Sequence, residues 1–216
     1  MRHETPYIYV DGAFRSNCSL LNMIWTARQF EVISTHNFTE GNVRLVITAA
    51  DTAQRLVTEI NGEPAAQEYS DAIGLRIEDL TDTVFAAHPV LLTVRGQLYA
   101  RAIQRVNDDG SILFGSAIGQ GVVLNVGSAT SIADNLSRAF ESVRGKMGEP
   151  SLTIAFDCSL RRLDVLATNC IDAVSDIIKS NRVVGFCTYG EQIGPLAVQQ
   201  TFVGVAIGRR CDDRLE

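Results

Sequence analysis

Residues 151–192 read SLTIAFDCSLRRLDVLATNCIDAVSDIIKSNRVVGFCTYGEQ, and the fold turns on how this stretch is parsed. Residues 151–157 and 182–189 are short apolar runs of strand length. Between them Leu160, Leu163, Leu166, Ala167, Ile171, Val174, Ile177 and Ile178 recur at helical spacing. An unbroken helix over 158–181 would be about 35 Å long at 1.5 Å per residue. A strand of this length spans only about 25 Å, so the helix should break near Thr168-Asn169. Strand, helix, strand with one crossover is a βαβ unit, with its strands parallel and adjacent.

Parallel strands place their carboxyl ends on one edge of the sheet. The first delivers Asp157, Cys158, Arg161 and Arg162; the second delivers Tyr189, Gly190 and Glu191. The loop 190–198 should return as an antiparallel strand over 200–208, bringing Gln199, Gln200 and Thr201 alongside. Open sheets bind ligands at such edges. Cys158, Arg161, Arg162, Tyr189, Gly190, Glu191, Gln199 and Thr201 are therefore the candidate ligand-binding set. Two arginines in a helix's first turn oppose its macrodipole by roughly 0.3–1 kcal/mol each. Glu191 or an acidic ligand should offset them, with Tyr189 orienting the pair; structural support and ligand contact are both open.

Outward from this unit, residues 7–10, 18–25, 30–36, 43–48 and 55–60 read as strands separated by turn residues. A helix is expected over 64–73, between Pro64 and Gly74. Strands at 90–95, 98–106, 111–115 and 121–126 form an antiparallel meander. A second helix carries Ile132, Leu136, Phe140, Val143 and Met147 and stops at Gly148. The expected class is α+β: a mixed sheet with an antiparallel meander and a βαβ unit, helices packed on the sheet.

The 216 residues are 46% hydrophobic and 20% charged, a globular balance. A net charge of −6 with scattered Lys and Arg offers no basic stripe for a phosphate backbone, so nucleic acid is not an expected partner. No apolar run approaches the ~20 residues of a bilayer span, and the first residues lack an apolar signal core. Membrane insertion is not expected, and the cytoplasm is the expected compartment. Five cysteines, odd in number and without a CxxC pair, suggest neither a disulfide frame nor a structural zinc site.

Among reactive candidates, Cys158 sits at a helix start beside arginines, which lowers a thiol pKa. A cysteine-dependent hydrolase also needs a histidine base within reach, and none is near in sequence. His36 is a candidate haem axial ligand, with Trp25, Phe30 and Phe38 able to supply an apolar cavity. His88 precedes Pro89 in an extended or turn position, and Asp108-Asp109 reads as a turn. No phosphate-binding glycine loop, HExxH, GxSxG or EF-hand pattern is present.

The segments VTEINGEPAAQEYSDAIG, LYARAIQRVNDDGSILFGSAIGQGVVL, DCSLRR and GFCTYGEQ…QQTFVGVAIG together resemble the C-terminal part of a FIST domain, over about residues 55–208. The preceding IYVDGAFRSNCSLL and STHNF resemble the tail of the FIST N-terminal region. The resemblance implies residues 1–60 as that tail, 61–211 as the FIST C-terminal domain, and 212–216 as a tail ending in a candidate tag scar, Leu215-Glu216. FIST domains are sensory modules of bacterial and archaeal signal-transduction proteins. IQRVNDDGS, GVVL and TYGEQ are closest to a branch of nitric-oxide-responsive haem proteins that regulate a histidine kinase. The resemblance thus implies a non-catalytic sensor of a small ligand, haem with nitric oxide or an amino-acid-like metabolite, signalling to such a kinase. The family's His and Asn-Gln-Thr before the last strand stand here as Ala197 and Gln199-Gln200-Thr201.

Overall fold

The computed structural model describes residues 5 and 7–209. In chain order its strands and helices are β1 (Ile8–Val10), β2 (Ala13–Arg15), β3 (Phe30–Thr35), β4 (Phe38–Asp51), β5 (Leu56–Ile60), β6 (Glu63–Pro64), α1 (Ala65–Ile73), α2 (Asp82–Ala87), β7 (Val90–Val94), β8 (Gln97–Arg101), β9 (Ile103–Val106), β10 (Ile112–Phe114) and β11 (Val123–Ala129). Then follow α3 (Ile132–Met147), β12 (Leu152–Cys158), α4 (Ser159–Ala167), α5 (Ile171–Ser180), β13 (Val183–Thr188), β14 (Glu191–Ile193), β15 (Leu196–Val198) and β16 (Phe202–Ile207). The class is α+β, as the pattern implied.

The meander forms a sheet ordered β8-β7-β11-β4-β5-β10-β9, with β6 added to β5. Its two edges, β8 and β9, are consecutive in the chain and separated only by Ala102. One strand therefore serves both edges, and the sheet closes into a barrel, which removes its free edges. Leu45, Ile47, Val57, Ile112, Phe114 and Leu124 fill the interior, and α1 adds Ala65, Ala66 and Tyr69. Gly74, left-handed at φ 71°, ends α1 as expected. Glu40-Gly41 lies within the 14-residue β4, beside a shift in its register against β11. There Gly41 passes so close to the Val126 carbonyl that a Cβ would lie 2.5 Å from its oxygen.

The second sheet is ordered β13-β12-β16-β3. β12 and β13 are parallel, Thr153 opposite Val183 through Cys158 opposite Thr188, so the crossover is the one anticipated. β16 is antiparallel to β12, and β3 antiparallel to β16. The helical crossover breaks at 168–170, where Asn169 is left-handed at φ 51°. One face of this sheet packs under α3 and α5: Ile33, Ala155, Phe202 and Ala206 meet Leu136, Phe140, Val143 and Ile177. Residues 1–60 thus supply strands to both sheets, β3 to the second and β4 and β5 to the barrel.

Three expectations need correction. Residues 18–25 form no strand: the segment is exposed along its length and finds no ladder to join. The strand over 98–106 is split at Ala102, because its halves pair with different neighbours, β7 and β10. The face of α4 that packs inward is Leu160, Arg161, Asp164 and Val165, whereas Leu166 is half exposed. α2 and the β14–β15 hairpin were not anticipated. The expected tail at 212–216 and Cys211 lie outside the described residues.

Candidate functional site

Arg161 is the largest fully buried side chain, 1% exposed. It lies in the first turn of α4, where the dipole disfavours a cation. Asp157, at the end of β12, answers it: Nε donates to Asp157 Oδ1 at 2.6 Å. Nη1 donates to Asn37 Oδ1 at 2.9 Å. Nη2 is buried and has no partner among the described residues.

Asn37 is the hinge of this arrangement. It sits between β3 and β4, where the chain passes from one sheet to the other. Its Oδ1 accepts from Arg161, while Nδ2 donates to Asp164 Oδ2 at 2.7 Å and to Thr130 O at 3.0 Å. Asp164 is three residues from Arg161, hence on the same helical face. Gln200 completes the group from a left-handed backbone, φ 53°, two residues before the start of β16. Its Nε2 reaches the carbonyls of Phe85 and Ala86 in the last turn of α2, at 3.4 and 3.5 Å, and its Oε1 is buried without a partner among the described residues.

These four polar side chains and the apolar Phe38, Ala86, Ala129 and Leu160 line a small cleft between the barrel and the α/β layer. Its volume of about 10 Å³ is room for one water, so a larger guest must part α2 from α4. Among the described residues, the guanidinium Nη2 and the Gln200 carboxamide oxygen are each buried without a partner, and both side chains line this cleft together with Asp164. Burial raises the pKa of Asp157, of Asp164 and, further along the edge, of Glu191, against the lowering effect of their hydrogen-bond donors. Two carboxyls, Asp157 and Asp164, near one guanidinium leave the region short of positive charge.

The predicted edge is real but divided. Glu191 is buried, accepting from Thr188 Oγ1 and from Thr201 Oγ1, the latter at 2.6 Å. It does not pair with Arg161, whose ion pair is with Asp157. Arg162 points outward and is exposed. Tyr189, 75% exposed, orients neither Arg161 nor Glu191. Gly190, at φ 153°, supports the turn that brings Glu191 back under the sheet.

Cys158 packs with Ala102, Leu160 and Leu163, away from the cleft. Burial and the Glu191 charge push its thiol up to about 11, opposite to the lowering its position suggested. Gln199 turns the other way, into the barrel: Ala102 N donates to its Oε1 at 2.8 Å. Gly115 makes room, since a Cβ there would sit 2.2 Å from Gln199 Nε2. Gln199 thereby fills the backbone gap that separates β8 from β9.

His36 stacks on Phe38 with ring centroids 4.0 Å apart, and its Nδ1 is buried without a partner among the described residues. Burial and the nearby Arg161 charge lower its pKa. The other aromatic residues expected around it are elsewhere: Phe30 lies on the far face of the α/β sheet, and Trp25 is exposed. Of the three aromatic residues expected around it, only Phe38 stands against the imidazole among the described residues. Among them no group of three or more His, Cys, Asp or Glu could hold a metal ion, and no helix is long and apolar enough to cross a membrane.

Asn37, Asp164 and Gln200 were missing from the sequence-derived set. Asp164 was findable, three residues beyond a buried arginine. Asn37, 124 residues away from Arg161, left no such signal.

Fold and site together define an α+β domain in which a closed barrel and an α/β layer share a cleft built on one buried guanidinium. This chain belongs to the FIST C domain family, whose model matches residues 65–194, well over half of its length. That family is of sensory rather than catalytic type. No curated protein and no solved structure shows significant similarity to the chain.

Proposed function

We propose that this chain is a non-catalytic sensory module that binds a small zwitterionic, amino-acid-like metabolite in the Arg161 cleft. Occupancy is passed to a signalling partner such as a histidine kinase. The observation that carries the reading is Arg161 Nη2, a charged donor held fully buried without an acceptor. Such a group costs several kcal/mol to bury unless something accepts from it. A ligand carboxylate supplies that acceptor. A ligand ammonium supplies what Asp164 and Gln200 Oε1 lack, a donor and a positive charge. The carboxylate binds through a charge-assisted hydrogen bond, and the ammonium enters a region already rich in acid.

Thermal unfolding against a panel of free amino acids and their relatives tests this. A ligand at a hundred times its Kd stabilises by about 2.7 kcal/mol, which raises Tm by roughly 5–10 °C in a chain of this size. The decarboxylated and deaminated forms of the best ligand should give little shift, and Gln200→Ala should weaken binding while leaving the fold intact. If no zwitterion raises Tm at 10 mM, the reading fails. A haemin titration run beside it separates the other expectation: a Soret band that moves with nitric oxide and is lost in His36→Ala would replace the metabolite with haem.

A further inference from the structure

The strands of the second sheet carry more apolar residues than their packing uses. LTIAF in β12, VVGFC in β13 and FVGVAI in β16 are near-continuous apolar runs, the pattern of strands covered on both faces. Helices cover one face only. The register places Val184, Ile154, Val205 and Val32 in one row of the other face, with Phe186 and Phe156 beside them and Phe30 at its end. Phe186 is 67% exposed, and Phe30, Val32 and Val184 are each more than half exposed. A contiguous patch of this kind marks an interaction surface.

The same chain carries a second unpartnered apolar element. Residues 11–27 are exposed throughout, yet they contain Leu20, Leu21, Met23, Ile24 and Trp25. The root of this arm is fixed: Arg28 Nη1 donates to Ser151 Oγ at 3.1 Å and to Gly208 O at 3.4 Å. Gly208 N donates to Gln29 O at 2.8 Å, extending the β3–β16 ladder past Phe30. The arm therefore departs beyond the end of the sheet and leaves its own bare face behind.

We propose that two copies of this chain form a twofold dimer by exchanging arms, residues 16–25 of each lying across the bare sheet face of the other. One symmetric exchange covers both unpartnered surfaces on both copies, a closed isologous arrangement. Five side chains on the arm and five on the face, at roughly 100 Å² each, give on the order of 1,000 Å² per protomer. A standard-size interface needs about 800 Å² per partner, so the surface is sufficient.

Trp25 is the only tryptophan, which makes the arm directly visible. Light scattering coupled to gel filtration should give twice the 23.5 kDa chain mass. Trp25 emission should be blue-shifted at high concentration and move to the red on dilution as the dimer dissociates. Phe186→Glu, on an exposed edge-strand position, should keep the circular dichroism spectrum and weaken dimerisation on the order of a hundredfold. A monomer with solvated Trp25 at 100 μM overturns the proposal. So does a monomer with shielded Trp25, which places the arm on its own chain, and so does a dimer whose Trp25 stays solvated, which joins the copies elsewhere.

Discussion

Replacing Arg161 with Met should be among the most damaging single changes in the chain, and the reason can be tested separately from the damage. Arg161→Met removes the cation from the bridge to Asp157, whose side chain is 26% exposed. Breaking a buried ion pair from one side costs about 3–5 kcal/mol, because the other charge stays behind; the partial exposure of Asp157 places the value at the low end. Loss of the bond to Asn37 Oδ1 adds about 1 kcal/mol. The expected total is about 4 kcal/mol, or roughly 10 °C in Tm. If the cost is the orphaned carboxylate, Asp157→Leu in the same chain should restore most of it. A double-mutant cycle in urea, followed by far-ultraviolet circular dichroism, should give a coupling energy of about 3 kcal/mol between the two positions. Additive effects, with coupling under about 0.5 kcal/mol, would refute the claim that Asp157 holds Arg161 in place and would leave the cation's burial unexplained.

Two glycines should respond in opposite directions. Gly145→Ala lies in α3 with open space around it and should stabilise by about 0.5–1 kcal/mol, whereas Gly185→Ala puts a Cβ 1.6 Å from the Ala155 carbonyl oxygen and should abolish soluble expression by prising β13 from β12. Iodoacetamide near pH 7 should label the exposed Cys187 and leave Cys158 unmodified until the protein unfolds, since a thiol with pKa about 11 is almost wholly protonated there; labelling of Cys158 at the rate of Cys187 would contradict its burial. Stability should depend on pH in two limbs of opposite sign. His36 has a lowered folded-state pKa, so the unfolded chain takes up its proton first and stability falls as pH drops through its ordinary value near 6.5. Asp157, Asp164 and Glu191 have raised folded-state values, so the native state then binds more protons, and their contribution grows as pH falls through those values. Urea midpoints from pH 7.5 to 4.5 should show the first limb vanish in His36→Gln; its persistence would assign it elsewhere.

The parts of this molecule that could be read from its sequence are those governed by local rules. The βαβ crossover, the break near Thr168-Asn169, the α3 stripe and the Gly74 stop follow from periodicity, length and backbone preference within about 30 residues. Barrel closure did not, because it depends on one strand serving two edges, and Ala102 carries no mark of the interruption. The site was half legible. Arg161 stood out as a cation at the wrong end of a helix, and the need for an acid was inferred correctly. The acid itself was misassigned: Glu191 is near in the sheet, but Asp157, four residues earlier in the chain, lies one helical turn below. Asp164 sat in plain view on an apolar stripe that was read through the leucines alone. Asn37 could not be found, since only the finished fold brings the β3–β4 junction against α4.

The strand order also fixes when each half of the molecule can exist. Everything the barrel wall needs lies between Phe38 and Ala129, so the wall can close while the chain is still emerging from the ribosome. The second sheet cannot. Its inner strand β16 ends at Ile207, opposite Phe30, and neither β3 nor β12 has its shared partner until that strand is made. Until then the chain must carry β3 as a loose strand ahead of a finished barrel, a non-local pairing of the kind that folds slowly and invites strangers meanwhile. Premature termination before Phe202 would leave a folded barrel with no cleft beside it, because Gln200 is positioned by the strand that would be missing.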